Sequence, residues 1–123
     1  MKVVSTSNAP QAIGPYSQAM ISGGMVYTSG QIAINPANGN IEAKTIEEQT
    51  HQVCKNVKAV LEASGSSLDK VVKTVCFLAD MGDFATFNSI YAEYFTSKPA
   101  RSCVAVKTLP KNVLVEIDTI AEV

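Results

Sequence analysis

Charge is scarce in this 123-residue chain: Asp, Glu, Lys and Arg make up 17% of it, against roughly 25% in an ordinary soluble domain. With 46% of residues hydrophobic, part of the surface is expected to be covered by other copies of the chain. The net charge is −1 and no two Lys or Arg residues are adjacent, so the electrostatic footprint of a nucleic-acid binder is missing. No window approaches the ~18–20 apolar residues of a membrane span, and the start, MKVVSTSNAPQAIGPYSQA, lacks the apolar core of an export signal. The three cysteines, Cys54, Cys76 and Cys103, are odd in number and form no CxxC pair, which argues against a disulfide framework and a zinc site. A reducing, cytoplasmic setting without membrane or metal is the expectation. There is one histidine, His51, on the polar side of a helical stretch beside Gln52 and Lys55. It reads as a solvated residue, which argues against a histidine-dependent triad.

Residues 1–123 read as a single domain without internal repeats. A short apolar start at Val3 and Val4 is followed by the irregular STSNAPQAIGP. Ser17 to Ser22 and Met25 to Ile32 then form a hairpin about Gly23-Gly24, a pair that supplies the positive φ angles of a two-residue primed turn. In the tightest register Met20 faces Tyr27 and Gln18 faces Ser29. The stretch from Asn35 to Asn40 is a turn or surface loop. Thr45 and Glu48 make a capping box for a helix that ends before Gly65, with Ile46, Thr50, Val53, Cys54, Val57, Val60 and Leu61 as its inner stripe. Val71 to Leu78 reads as a buried strand, and Cys76 as a small core residue. Asp83 caps a second helix, which carries Phe84, Phe87, Ile90, Tyr91, Tyr94 and Phe95 at helical spacing and is stopped by Pro99. That aromatic stripe reads as core, since a base-stacking platform would be ringed by Arg and Lys. Asn88 falls at the boundary of the buried face. Two helices covering one face of a mixed sheet make the fold α+β.

The stretch PARSCVAVKTLPKNVLVE, Pro99 to Glu116, reads as two strands joined through Lys107 to Asn112. If they pair as a hairpin, registers that put Val104 and Val106 with Val113, Val115 and Ile117 bring Arg101, Cys103 and Glu116 together on the other face, beside Leu114 and Ile120. Two readings stand side by side. One is an ordinary cross-strand Arg101–Glu116 ion pair; the other is a site.

The sequences IGPYSQA (13–19), TSGQI (28–32), DFATFNSIY (83–91), PARSCVAV (99–106) and the ending LPKNVLVEIDTIA closely resemble the Rid or YjgF family of reactive-intermediate deaminases, in the same order and along the whole chain. The resemblance implies a chorismate-mutase-like fold, a mixed six-stranded sheet with two helices on one face, assembled as a homotrimer with active sites between subunits. It implies hydrolysis of 2-enamine and 2-imino acids, such as 2-aminoacrylate, 2-iminopropanoate and 2-iminobutanoate, to 2-oxo acids and ammonia, without metal or cofactor. Arg101 would grip the substrate carboxylate, and Glu116 would hold and orient the attacking water. The main chain of Cys103 would fix that water or the substrate nitrogen. Tyr16, Ser29, Gly30 and Asn88 match positions that line the cleft. For Tyr16 the alternative is a packed aromatic, for Gly30 a strand bulge, and for the Cys103 thiol a nucleophile, which has no accompanying histidine. Between Phe95 and Pro99 the chain has only Thr-Ser-Lys, several residues fewer than better-known members, which bears on side-chain preference. Two other roles remain open: a non-catalytic trimer that binds 2-oxo acids as a regulator, and an RNA-directed translation inhibitor or ribonuclease.

Overall fold

Eight elements follow one another as β1 (Lys2–Val4), β2 (Ala19–Ser22), β3 (Met25–Thr28), α1 (Ile46–Ala63), β4 (Val71–Leu78), α2 (Phe84–Tyr94), β5 (Ala100–Ala105) and β6 (Val115–Glu122); the computed structural model describes every residue from 1 to 123. The strands make one sheet in the order β1-β2-β3-β6-β4-β5, antiparallel except where β5 runs parallel to β4.

Local chemistry accounts for most element boundaries. Gly23 and Gly24 turn the first hairpin at φ of 60° and 76°, and Met20 faces Tyr27 as the tight register requires. At the start of α1 the Thr45 hydroxyl accepts from the Glu48 N–H at 3.2 Å, while a Glu48 carboxylate oxygen accepts from the Thr45 N–H at 3.2 Å. Gly65 follows its end at φ 81°. The whole expected stripe of α1 is buried, together with two polar residues that the apolar pattern does not flag, Gln49 and Asn56. Asn56 donates to the carbonyls of Ile32 and Ile34, at 3.0 and 2.9 Å, and so ties the loop after β3 to the helix. Asp83 stands at the N-cap of α2 but makes no capping bond. The single helical turn Met81–Asp83 precedes it, and there the Asp80 side chain accepts from the Gly82 N–H at 2.7 Å. His51 is not simply solvated: half-buried, its Nδ1 lies 2.8 Å from the Tyr94 hydroxyl and its ring meets that tyrosine edge-on.

The expected final hairpin does not form. β4 lies between β5 and β6, pairing Cys76 with Cys103 on one side and with Ile117 on the other. The cause is the crossover through α2, which returns the chain beside β4 in parallel, leaving the other edge of β4 for β6. Lys107 to Asn112 is therefore a crossing between two edges of β4, not a turn. Cross-strand partners share a face, so Arg101 and Cys103 lie with Thr74, Cys76 and Ile117 on the helix side, while Val104 lies with Phe77 and Glu116 on the other. Val104 is accordingly 47% exposed and is not in the core.

Both helices pack on the face that carries Val26, Cys76, Leu78, Val115 and Ile117, all fully buried. The opposite face has no layer over it. Val3, Tyr27 and Val104 are exposed there, and Met20, Val75, Phe77 and Ile120 are half-buried, around two carboxylates, Glu116 and Asp118.

Candidate active site

Arg101 is placed by the parallel edge strand and held by α2. Its guanidinium carbon sits 4.8 Å from the ring centroid of Tyr91 and 5.5 Å from that of Phe84. Nη1 donates to Asn88 Oδ1 at 2.6 Å. Tyr91 is itself fixed by a 2.7 Å hydrogen bond between its hydroxyl and that of Thr74, the strand partner of Arg101. Planarity, stacking and one strong bond leave the guanidinium few orientations. Arg101 also lines a cavity of about 400 Å³ together with Asn88, Tyr91, Phe95, Thr96 and Lys98. Tyr91 and Phe84 read from the sequence only as core; that they also form the bed of the cation depends on β5 lying beside β4.

Cys103 follows two residues on, with a half-buried free thiol whose pKa is pushed up by burial, against the pull of Arg101. That is the wrong direction for a thiolate nucleophile. Its backbone is the more available group. The Val106 N–H reaches the Leu78 carbonyl of β4 at 2.9 Å, so alternation turns the N–H groups of Ser102 and Val104 toward β4 and those of Arg101 and Cys103 toward the open sheet edge.

Glu116 stands elsewhere. It lies on the uncovered face, against Gly30, where a Cβ would come within 2.8 Å of its carboxyl carbon. The carboxylate's approach leaves no room for a side chain there, and the pairing slips by one residue across this stretch, from Tyr27 opposite Ile120 to Gln31 opposite Ile117, so Gly30 also lies in a bulge; no positive φ is involved. Burial, and then the negative charge of Asp118, push the Glu116 pKa above its ordinary 4.5. A second cavity of about 320 Å³ opens over it, lined by Ile13, Tyr16, Gly30, Gln31 and Lys111. Gln31 sits beneath, exchanging backbone hydrogen bonds with Ile117 at 2.8 and 3.1 Å. Tyr16 is 54% exposed, which is more than a packed aromatic would show. Ser29 donates its hydroxyl to the Ser17 carbonyl and its N–H to the Gln18 carbonyl, so it holds the GPYSQ segment beside Gly30.

The site residues thus form two groups: Arg101, Cys103 and Asn88 on one, and Glu116, Gly30, Ser29 and Tyr16 on the other. Arg101 pairs through Thr74 to Thr119, three residues beyond Glu116. The two backbones are separated by roughly 10 Å across two strand spacings and roughly 10 Å along the strand, and the side chains leave opposite faces. The expectation that Arg101, Cys103 and Glu116 share a face is therefore overturned, and with it the cross-strand ion pair. No three His, Cys, Asp or Glu side chains gather as a metal site, and no helix is long and apolar enough to cross a membrane.

One six-stranded mixed sheet with both helices on one face and the other face bare defines the class as a single-layer-covered α+β domain. Comparison with known proteins makes the class specific. Residues 6–123 match the family described as endoribonuclease L-PSP, and the chain belongs to this family, also called YjgF, RutC or Rid. It is 48% identical to the 2-iminobutanoate/2-iminopropanoate deaminase of Escherichia coli, over 98% of this chain and 96% of that one. The Rid-family protein YyfA of Yersinia pestis is similar in structure with a TM-score of 0.96 and 51% identity, covering 99% of this chain and 98% of the other. E. coli TdcF, solved with bound serine, has a TM-score of 0.94 and 42% identity, covering 100% and 99%.

Proposed function

We propose that the protein is a cofactor-free hydrolase of 2-imino and 2-enamine acids, working as a cytoplasmic homotrimer in which the Arg101 half-site of one copy faces the Glu116 half-site of the next. The observation that carries this reading is the Arg101 guanidinium, stacked on Tyr91, bonded to a neutral amide, and so left with its charge free for an anion. The bare sheet face and the low charged fraction support self-association. The serine bound in TdcF and the name of the E. coli deaminase agree with a small substrate bearing a carboxylate.

In this reading Arg101 takes the substrate carboxylate through two parallel hydrogen bonds. The free-edge backbone of Cys103 fixes the substrate nitrogen or the water. Glu116, with its raised pKa, accepts a proton from that water as oxygen bonds to the C=N carbon and the π electrons move to nitrogen. The same carboxyl returns the proton to nitrogen. Glu116 then carries the hydroxyl proton to the same nitrogen as the C–N bond breaks, so that ammonia leaves with three hydrogens and the carbonyl of the 2-oxo acid forms. Tyr16, Ser29 and Gly30 shape the Glu116 wall, and Asn88 orients Arg101 while lining the same cavity that receives the substrate carboxylate.

Coupling the protein to a threonine dehydratase and timing 2-oxobutanoate appearance tests the reading, with light scattering on the same sample. Faster hydrolysis by a trimer is expected. Binding of 2-oxo acids without acceleration would make the protein a regulator, and a monomer at micromolar concentration would remove the shared site. An RNA-directed role has the family description in its favour but neither a basic patch nor a cation run.

A further inference from the structure

Beyond Arg101, the cavity on its side of the sheet carries a second cation. Lys98 lines it, three residues before Arg101, and no Asp or Glu does. The chain as a whole has a net charge of −1, so a cavity whose charged lining residues are both cations is a local reversal of sign. The backbone fixes where this lysine starts. Lys98 adopts φ 55°, a conformation that a side chain bearing Cβ rarely takes, and its N–H closes a turn onto the Phe95 carbonyl at 3.3 Å. Pro99 then joins it directly to β5, so the Lys98 Cα is tied at both ends beside the strand that holds Arg101. The cavity's apolar lining is Tyr91, Ala92 and Phe95, beside the polar Asn88 and Thr96. A wall of that kind suits methylene groups. Two cations and an apolar lining on one cavity suit a small dicarboxylate with a short hydrocarbon chain.

We infer that Lys98 is a specificity residue that biases the Arg101 cavity toward 2-imino and 2-oxo acids with a second carboxylate on the side chain. The inference rests on Arg101 being the grip for the first carboxylate. Lys98 is exposed, so the preference is set at the upper end for a solvated ion pair: about fivefold, or ~1 kcal/mol.

The test is calorimetric binding of 2-oxoglutarate and of 2-oxopentanoate, which has the same chain length and no second acid, to the wild-type protein, Lys98→Gln and Arg101→Lys. The expected wild-type preference for 2-oxoglutarate is about fivefold, falling below twofold in Lys98→Gln and in high salt. Equal affinity of the wild type for the two acids overturns the inference, as does a preference that survives Lys98→Gln. A preference matched by inorganic phosphate competing equally against both acids would mark a general anion site, and overturns it as well. The failure of the underlying reading looks different: Arg101→Lys would then bind both acids as tightly as the wild type, whatever Lys98 does.

Discussion

Arg101→Lys conserves the charge and removes the shape. In the folded chain the guanidinium is seated by three contacts, a 2.6 Å bond to Asn88 and the faces of Tyr91 and Phe84. An ammonium on a flexible stem reproduces none of them together, and it offers a single point where the substrate carboxylate needs two. The expected loss in the transition state is one charge-assisted hydrogen bond, worth about 1.5–3 kcal/mol, plus the orientation it imposes. A combined ~2–4 kcal/mol corresponds to about 30- to 1,000-fold in rate. The folding cost is smaller, since Arg101 lies at an edge strand and is only half-buried. The assay is initial-rate imine hydrolysis, coupled to a dehydratase, by variant and wild type at equal concentration of assembled protein, with circular dichroism and light scattering as controls. A variant within threefold of the wild type would mean that a point charge suffices, and the grip assigned to Arg101 would have to be given up.

Cys103→Ala is expected to keep most activity, because the proposed contribution of that residue is its main chain and its thiol pKa is raised by burial; a loss as large as that of Arg101→Lys would restore a covalent step. Gly30→Ala puts a methyl group where the Glu116 carboxyl now packs, so kcat should fall at least tenfold with little change in 2-oxo acid affinity, and an unchanged kcat would separate Glu116 from the chemistry. Asp118 gives a pH test. Burial raises its pKa above the ordinary 3.8, so its protonated form favours the fold; that contribution is complete below 3.8 and is lost as pH rises through the raised value. Asp118→Asn should therefore melt higher than the wild type at pH 7, with the gap closing toward pH 3.5, and a gap independent of pH would contradict the assignment.

What the sequence makes legible is what neighbouring residues decide among themselves. Thr45 and Glu48 cap α1 because the two partners are three residues apart, and Gly23-Gly24 fixes the register of β2 and β3 because a two-residue turn allows little else. The order of strands is a different kind of fact. Pro99 to Glu116 contains two β segments and a turn-rich connection, and nothing local says that β4, over twenty residues earlier, will enter between them. Partners on paired strands share a face, but the strands of Arg101 and Glu116 both pair with β4 and not with each other. The same gap hides the platform of Arg101, since Tyr91 and Phe84 lie under it only because the α2 crossover brings β5 home in parallel. Resemblance marks Asn88, Gly30 and Tyr16 as expected site positions, but the contact each makes is not legible in it.

The separation of the half-sites has a consequence for how activity depends on assembly. Arg101 and the outward N–H of Cys103 lie on the free edge of β5, while Glu116 occupies the bare face two strands inward, so no movement of side chains within one chain can bring them to a common substrate. A second copy that covers the bare face would remove Val3, Tyr27 and Val104 from water in the same step that brings an Arg101 edge to a Glu116 cavity. Apolar burial would then supply the free energy of association, and the polar half-sites would need to supply only orientation. On that argument specific activity should fall on dilution, in step with loss of the assembled form, and a 2-oxo acid spanning both half-sites should shift dissociation to lower protein concentration. A copy carrying Arg101→Lys mixed with one carrying Glu116→Gln should regain part of the lost activity, because some shared sites then receive both wild-type residues. If each site were contained within one chain, the mixture would stay as inactive as its parents.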